Sequence, residues 1–323
     1  MQTLLLDSMS GSAKPVGGHS CEMLMPHFHP AVGTIAKGKQ NGTIGELWQG
    51  PYQSLDGIFH IAIVTLPCKR YVSEVTVEYG KTTPALPSKS AKAIERFISY
   101  FNIESTLSSY SWTLHSNIPQ SIGMASSTAD IIATINALAA LHEVRLSANY
   151  IQDILRGIER SDPVFHQYPG LYLSKCQRFV SSWDCRPDFN VVYSILPGAT
   201  TTESVNESKL LGFYQDNLRT YQYSLTLLDK GFRTGSPALI GTAATECAGI
   251  FQNFRPVQLV DELIKIAPKV GALGVVRAYT GHVAGLLFPE EVDSYTEHLP
   301  IIRNIFDRYG FVTLIDRAGY GNS

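Results

Sequence analysis

The sequence predicts an α+β protein built from two domains. Stretches with the two-residue periodicity of strands are mixed with stretches that have the 3.6-residue periodicity of helices, and no segment is repeated. Such mixed runs are typical of layered α+β folds. Pro187, Pro197 and Gly198, followed by the polar residues 200–208, indicate a link between domains. We therefore expect a leader, a first domain and a second domain over residues 1–30, 31–190 and 191–323.

The individual elements follow from the same patterns in chain order. Runs with the composition of strands predict strands over residues 59–66, 71–79, 171–173, 189–196 and 311–315. Apolar residues at helical spacing predict helices over residues 90–101, 128–142, 210–232, 256–267 and 301–309. Residues 271–288 contain two β-rich runs around a Thr-Gly turn, which predicts a hairpin.

Composition excludes several classes of protein. The 323 residues are 44% hydrophobic and 17% charged, with a formal net charge of −2. No basic run suits a nucleic acid, and no apolar stretch reaches the roughly 18 residues that span a bilayer. The amino terminus has no positive charge before its short apolar run, and the five cysteines are widely spaced, which favours reduced thiols. We expect a cytoplasmic protein without nucleic-acid or membrane partners.

Residues 119–129, Pro-Gln-Ser-Ile-Gly-Met-Ala-Ser-Ser-Thr-Ala, form the most informative stretch. Small residues leave backbone N–H groups open to a ligand, and the amino terminus of the following helix favours an anion. We therefore predict a phosphate-binding loop made of Gly123, Met124, Ala125, Ser126, Ser127 and Thr128. The alternative is a well-capped core helix, because Ser127 and Asp130 have the spacing of a capping box. For Asp130 itself we favour this capping role over contact with a metal.

Two carboxylates, Glu159 and Asp162, lie three residues apart at the expected end of a helix, so that they face one way and can share a pocket. Phosphoryl transfer from ATP needs a metal that bridges the phosphates and a group that orients or deprotonates the attacking hydroxyl. We assign Ser127 and Glu159 to Mg²⁺ and Asp162 to the hydroxyl. The alternative is a solvated helix terminus.

A third segment, residues 42–50, is rich in turn formers and contains an acid and an amide. Glu46 and Gln49 can hold an ammonium or a hydroxyl of a small substrate, and the glycines permit close approach of the backbone. A surface hairpin is the alternative interpretation.

These segments resemble, in order, the motifs of the GHMP small-molecule kinases. The run Gly-Met-Ala-Ser-Ser-Thr-Ala-Asp from Gly123 is similar to the second motif as it occurs in the L-threonine kinases of cobalamin synthesis, and Gly-Glu-Leu-Trp-Gln-Gly from Gly45 is similar to their first. Glu159 and Asp162 stand in the Glu-Pro-Thr-Asp stretch of that branch, with Arg160 in place of Pro. Ala125 replaces a glycine, so we expect the loop to avoid a positive φ there.

The resemblance implies an amino-terminal domain like domain 2 of ribosomal protein S5, a ferredoxin-like carboxyl-terminal domain, and a site between them. It implies an ATP- and Mg²⁺-dependent kinase that phosphorylates the hydroxyl of a small amino acid, most similar to L-threonine kinase. Asp162 would be catalytic and the loop would hold the ATP phosphates. Substrate contacts would come from Thr43, Gly45, Glu46, Gln49, Thr280, Gly281 and His282.

The turn at residues 279–282 departs from the His-Ser-Gly turn of the family's third motif. The acceptor and its pathway, cobalamin synthesis or specialised amino-acid metabolism, therefore stay open. Two further functions are compatible with the same motifs: an ATP-dependent decarboxylase of the same fold, and a non-catalytic sensor of a nucleotide or small molecule. The sequence does not indicate an oligomeric state.

Overall fold

The computed structural model describes residues 29–81, 86–199, 206–290 and 295–321. Within these ranges the strands are β1 Ile35–Gln53, β2 Phe59–Tyr79, β3 Tyr110–Ser116, β4 Gly170–Leu173, β5 Arg178–Ser182, β6 Asp188–Ile195, β7 Gly274–Arg277, β8 Val283–Pro289 and β9 Leu314–Gly319. The α-helices are α1 Ser88–Tyr100, α2 Ser126–Leu141, α3 Ala148–Leu155, α4 Glu207–Asp216, α5 Leu218–Thr234, α6 Pro237–Gln252, α7 Gln258–Ile266 and α8 Leu299–Arg308. The predicted α+β class is confirmed, whereas most of the leader lies outside the described residues.

All nine strands belong to one sheet in the order β1-β7-β8-β6-β9-β2-β4-β5, with β3 paired to β2. The strands β1 and β2 form a long antiparallel hairpin, and β6 to β9 form a second antiparallel group. In the described part of the chain, the two groups meet through two residue pairs: Glu46 of β1 with Arg277 of β7, and Cys68 of β2 with Ala318 of β9. Glu46 therefore lies at the junction of the two groups.

Three apolar clusters hold the helices on the sheet, because burial of apolar surface is the main force that packs such layers. One cluster lies between β2, β3 and the helices α1 to α3. A second lies between β6 to β8 and the helices α7 and α8. The third joins β1, β2 and β4 to the helices α4 to α6. Burial alternates along the second half of β2, as expected for a strand with one buried face. Ser73, Val75 and Val77 are buried, and their neighbours are more exposed.

The structure changes several predicted boundaries. The separate strands predicted over residues 59–66 and 71–79 are one strand, β2. The single helix predicted over residues 210–232 is interrupted at Asn217, whose backbone is non-helical and whose side chain donates to the Phe213 carbonyl at 2.9 Å. A local bond from the side chain to the backbone thus accompanies the break in the helix.

Two elements that the sequence patterns did not reveal matter for the site. Residues 42–50 form the interior of β1, not a surface hairpin. The register between β1 and β2 shifts around Glu46, and Gly45, at φ +76°, lets the backbone of β1 approach that of Arg277. Helix α6 is rich in small residues that permit close packing on β7: a Cβ on Gly274 would lie 2.0 Å from the Gly241 carbonyl oxygen.

The hairpin predicted over residues 271–288 is confirmed as β7 and β8. The predicted domain division between residues 190 and 191 stays a prediction; both residues lie in β6. Among the described residues, no helix combines the length and the apolar character needed to cross a bilayer.

Candidate active site

The loop before α2 has an unusual backbone. Ser121, Gly123 and Ala125 have φ values of +60°, +81° and +58°, and Ala125 is the residue that precedes the first turn of α2. The expectation that Ala125 avoids a positive φ is therefore wrong. Left-handed residues at alternate positions turn successive N–H groups toward one concave face, a geometry that binds anions. The left-handed conformation costs a non-glycine residue about 1 to 3 kcal/mol, so surrounding structure must hold it.

Two backbone hydrogen bonds provide that support. The Thr43 N–H of β1 donates to the Met124 carbonyl at 3.1 Å, and the His282 N–H donates to the Ile122 carbonyl at 2.8 Å. Gly123 also lies directly against Gly281, since a Cβ on Gly123 would approach the Gly281 Cα to 2.8 Å. The loop is thus fixed between β1 and the β7–β8 hairpin, which explains why glycine is needed at both contact points.

Glu159 is the centre of the polar network at the start of α2. Its side chain is only 3% exposed and forms an ion pair with Lys89 of α1, with 2.7 Å between Nζ and Oε2. Ser127 Oγ donates to Oε2 at 3.0 Å, and Thr128 Oγ1 donates to Oε1 at 3.3 Å. The two residues assigned to Mg²⁺ by sequence, Ser127 and Glu159, are therefore direct neighbours.

Asp130 does not cap α2, so the favoured capping role is wrong. No side chain caps this helix, and Asp130 instead accepts a hydrogen bond from Ser73 of β2 at 2.6 Å. Burial raises the pKa of Asp130, the bond from Ser73 opposes this, and the charge of Glu159 adds to it. The capping box failed as an interpretation because Ser127 and Asp130 each have a tertiary partner.

Glu159 and Asp162 share the site for a reason other than helical spacing. Helix α3 ends at Leu155, and both carboxylates follow it in an irregular segment. Gln177 donates to the Glu159 carbonyl at 2.7 Å, and the Ser161 N–H donates to the Ser174 carbonyl at 3.1 Å. Contacts with the β4–β5 region, not a helix, thus position this segment.

Glu46 and Asp162 are two carboxyl groups of the site with raised pKa values. Glu46 is 7% exposed, and its Oε2 accepts from the Tyr279 N–H at 3.2 Å. Burial, and then the charge of Asp162, raise the pKa of Glu46 to about 8 against the opposing effects of that hydrogen bond, Arg160 and Arg277. Burial likewise raises the pKa of Asp162 to about 6, with Arg160 opposing and Glu159 adding. Such shifts are typical of functional sites.

One cleft of about 410 Å³ joins these parts. Of the residues that the sequence singled out, its walls contain Glu46, Gln49, Gly123, Met124, Ala125, Ser126, Ser127, Thr128, Glu159, Asp162 and Thr280. Gln49 is held by a 2.7 Å hydrogen bond from its amide to the Tyr214 hydroxyl. The nest of N–H groups, the Ser127–Glu159 pair and the Glu46–Asp162 pair therefore face a common space.

Four predicted substrate-binding residues do not line the cleft. Thr43, Gly45 and Gly281 act through the backbone, as described above for β1 and the loop. The His282 imidazole lies against Gly198, with 3.4 Å between its Nε2 and the Arg255 guanidinium. Burial, followed by the positive charge of Arg255, lowers the pKa of His282. These four residues therefore contact the residues that form the cleft wall, or the chain neighbours of those residues, and do not line the cleft themselves.

The cleft contains two cations that the sequence analysis did not assign. Lys89 and Arg160 both line it, together with the acids Glu46, Asp130, Glu159 and Asp162. A lone lysine at the start of a helix carries no recognisable motif, so only the packing of α1 beside α2 reveals Lys89. The sequence indicated Arg160 only weakly, as a departure from the proline that the similar motif has at this position.

The donor set fits Mg²⁺ bound together with a nucleotide. Within the described ranges, no group of three or more His, Cys, Asp and Glu side chains is arranged to hold a metal alone. Mg²⁺ in nucleotide sites commonly uses one or two protein oxygens, with phosphates and water completing the octahedron. Ser127 Oγ and the Glu159 carboxylate supply two such oxygens beside the concave loop.

Comparison with known proteins shows what this chain is similar to. Residues 88–167 match the family described as GHMP kinases N terminal domain. The chain is 27% identical over 212 residues to the L-threonine kinase of Salmonella typhimurium, which covers 60% of this chain and 68% of that relative.

Two solved structures extend the likeness to nearly the whole chain. Homoserine kinase from Cytophaga hutchinsonii has a TM-score of 0.66 at 13% identity, covering 90% of this chain and 96% of that one. Mevalonate diphosphate decarboxylase from Staphylococcus aureus has a TM-score of 0.62 at 13% identity, covering 88% and 96%. The sequence match and the shared fold together confirm the predicted resemblance of this chain to the GHMP kinases.

Proposed function

We propose that this protein is an ATP-dependent kinase that phosphorylates the side-chain hydroxyl of a small amino acid, with L-threonine as the preferred acceptor. One observation carries the proposal: the anion-binding loop before α2, the Ser127–Glu159 pair and the Asp162 carboxyl all face the same cleft. These are the three parts that phosphoryl transfer requires, namely a phosphate cradle, a metal position and a group for the attacking hydroxyl.

The loop N–H groups and the start of α2 bind the phosphates and fix their orientation. Ser127 and Glu159 would hold Mg²⁺, which would supply positive charge to the phosphates when bound. Lys89, which is paired with Glu159, offsets part of the repulsion between a triphosphate and the four acids of the cleft.

In the transfer step the acceptor oxygen bonds to the γ-phosphorus, and the bond from that phosphorus to the oxygen bridging to the β-phosphate breaks. ADP leaves, and the proton of the acceptor hydroxyl passes to the Asp162 carboxylate. With a pKa of about 6, Asp162 is mostly ionised near pH 7 and can accept this proton. No covalent intermediate with the protein is needed.

Three features support an amino-acid acceptor. Glu46 and Gln49 give the cleft a carboxyl and an amide beside Asp162. The curated relative is an L-threonine kinase, and a structural relative is a homoserine kinase. We therefore assign Glu46 and Gln49 to the acceptor, with the turn at Thr280 closing the same side.

The test is a screen of L-threonine, L-serine and L-homoserine for ATP consumption, with mass detection of the phosphorylated product. We expect L-threonine to have the highest kcat/KM, with L-serine about 10- to 200-fold poorer, because a missing methyl group is worth about 1 to 3 kcal/mol. Efficient turnover of another acceptor without phosphothreonine would reject threonine and keep the kinase. Absence of phosphorylation of any hydroxy amino acid would reject the proposal.

Two alternatives are addressed by the same experiment. The shared fold with a decarboxylase means that fold alone does not distinguish transfer from transfer followed by elimination. Release of carbon dioxide from a hydroxy acid, with ATP consumed, would identify decarboxylation. Tight nucleotide binding without turnover of any acceptor would identify a sensor.

A further inference from the structure

Arg160 is a cation of the cleft that the proposed transfer step does not use. It lines the same wall as Glu46, Gln49 and Asp162. Its charge acts on the carboxyls of Glu46 and Asp162 and on the Tyr214 hydroxyl, which is bonded to Gln49. These neighbours are the residues that we assign to the acceptor.

The guanidinium is available for a ligand. Across the residues that the structure describes, Arg160 makes no hydrogen bond and no ion pair, whereas the other cleft cation, Lys89, is bonded to Glu159 at 2.7 Å. A guanidinium presents several N–H donors in a planar fork that matches a carboxylate. The Arg160 guanidinium is partly buried and bonds to no described residue, so it is suited to an anionic group of the substrate.

The surrounding charges match those of a zwitterion. Repulsion from the charge of Asp162 adds to burial in raising the pKa of Glu46, so a cation beside these two carboxyls favours loss of the Glu46 proton. An amino acid brings an ammonium group that offsets this repulsion and a carboxylate that needs a cation. Among the described residues that line the cleft, Arg160 is the cation whose charge acts on both of these acids.

We propose that Arg160 binds the α-carboxylate of the acceptor and thereby selects amino acids over hydroxy compounds that lack an anionic group. This inference rests on the proposed kinase function. The acceptor is then held at three points: its carboxylate at Arg160, its ammonium at Glu46 and its hydroxyl at Asp162. Arg160 is a specificity-determining residue, and it takes no proton and forms no bond to phosphorus.

The test compares L-threonine with L-threoninamide, which keeps the hydroxyl and the amine but has a neutral amide in place of the carboxylate. We expect the native enzyme to favour threonine by about 10- to 100-fold in kcat/KM, the range of a hydrogen bond between charged groups. In Arg160→Met this preference disappears: kcat/KM for threonine falls by that factor more than kcat/KM for threoninamide, mainly through KM, because any effect of the lost charge on Asp162 is common to both acceptors. Arg160→Lys regains part of the preference, because it keeps the charge and loses the fork.

Arg145→Met serves as the matched control, since Arg145 is exposed on the surface. Calorimetric titration of each variant with threonine and threoninamide gives the same comparison without turnover. Equal losses on both acceptors, with lower kcat, would overturn the proposal and indicate that Arg160 acts on the phosphates. A native enzyme that phosphorylates both acceptors equally well would also overturn it while leaving the kinase function standing, whereas a native enzyme that phosphorylates no hydroxy amino acid would reject both.

Discussion

The buried carboxyl of Glu46 makes the stability of this protein depend on pH in a direction that can be measured. Glu46→Gln is the perturbation of choice, because glutamine has nearly the same shape and its carbonyl oxygen can still accept the bond from the Tyr279 N–H. The substitution removes the ability to ionise without removing this contact. Any pH-dependent difference between the two proteins therefore reports on the charge.

The sign follows from the raised pKa. The folded protein keeps the Glu46 proton up to about pH 8, whereas the unfolded chain loses it near the ordinary value of 4.5. Between these values the folded state binds more protons, so the free energy of unfolding falls as pH rises. This loss in the free energy of unfolding is absent below pH 4.5 and complete above pH 8. The difference between a pKa of 4.5 and one of about 8 corresponds to a loss of at most about 5 kcal/mol in the free energy of unfolding, since one pKa unit is about 1.4 kcal/mol.

The assay is thermal or urea unfolding of the native protein and Glu46→Gln from pH 4 to pH 9. We expect similar stability at the acidic end and a progressively more stable variant toward pH 9, by a few kcal/mol. Glu104→Gln, at an exposed position, is the control and should show no such trend. A constant difference between native protein and Glu46→Gln at all pH values would refute the reasoning. Because Glu46 and Asp162 titrate together, Asp162→Asn should reduce the effect.

Three further predictions concern the loop and the chemistry. Ser127→Ala should weaken binding of magnesium-nucleotide and lower turnover, because it removes one oxygen beside Glu159; Ser99→Ala, at an exposed position, is its control. Asp162→Asn should lower kcat by about 10²- to 10⁴-fold with little change in nucleotide affinity, because it removes the proton acceptor. Gly123→Ala should destabilise the fold by about 1 to 3 kcal/mol and weaken nucleotide binding, because the added Cβ meets Gly281 and φ is +81°.

Each of these has a decisive contrary result. A folded Ser127→Ala protein with native nucleotide affinity and rate would remove the loop from the phosphate site. Native kcat in Asp162→Asn, measured where chemistry limits turnover, would remove Asp162 from proton transfer. Native melting temperature and nucleotide affinity in Gly123→Ala would show that the contact with Gly281 does not constrain the loop.

Features that depend on residues close together in the chain could be predicted from the sequence. The run of small residues 119–129 before an apolar helix indicated a loop at the start of α2, and two β-rich runs around a turn indicated the β7–β8 hairpin. Both are local properties, because the backbone freedom of small residues and the periodicity of side chains act over a few positions. The assignment of Asp162, Glu159 and the substrate contacts to their chemical roles stays a prediction from the same motifs.

Tertiary structure decided the features that depend on distant partners. Ala125 adopts a left-handed conformation because Thr43 and His282, far away in the chain, hold the carbonyls of its loop. Asp130 bonds to Ser73 because α2 packs on β2. Glu46 is buried because β1 meets β7 at that residue. A local preference of about 1 kcal/mol is easily exceeded by such long-range packing and hydrogen bonding, so the local patterns gave the wrong answer at Ala125 and Asp130.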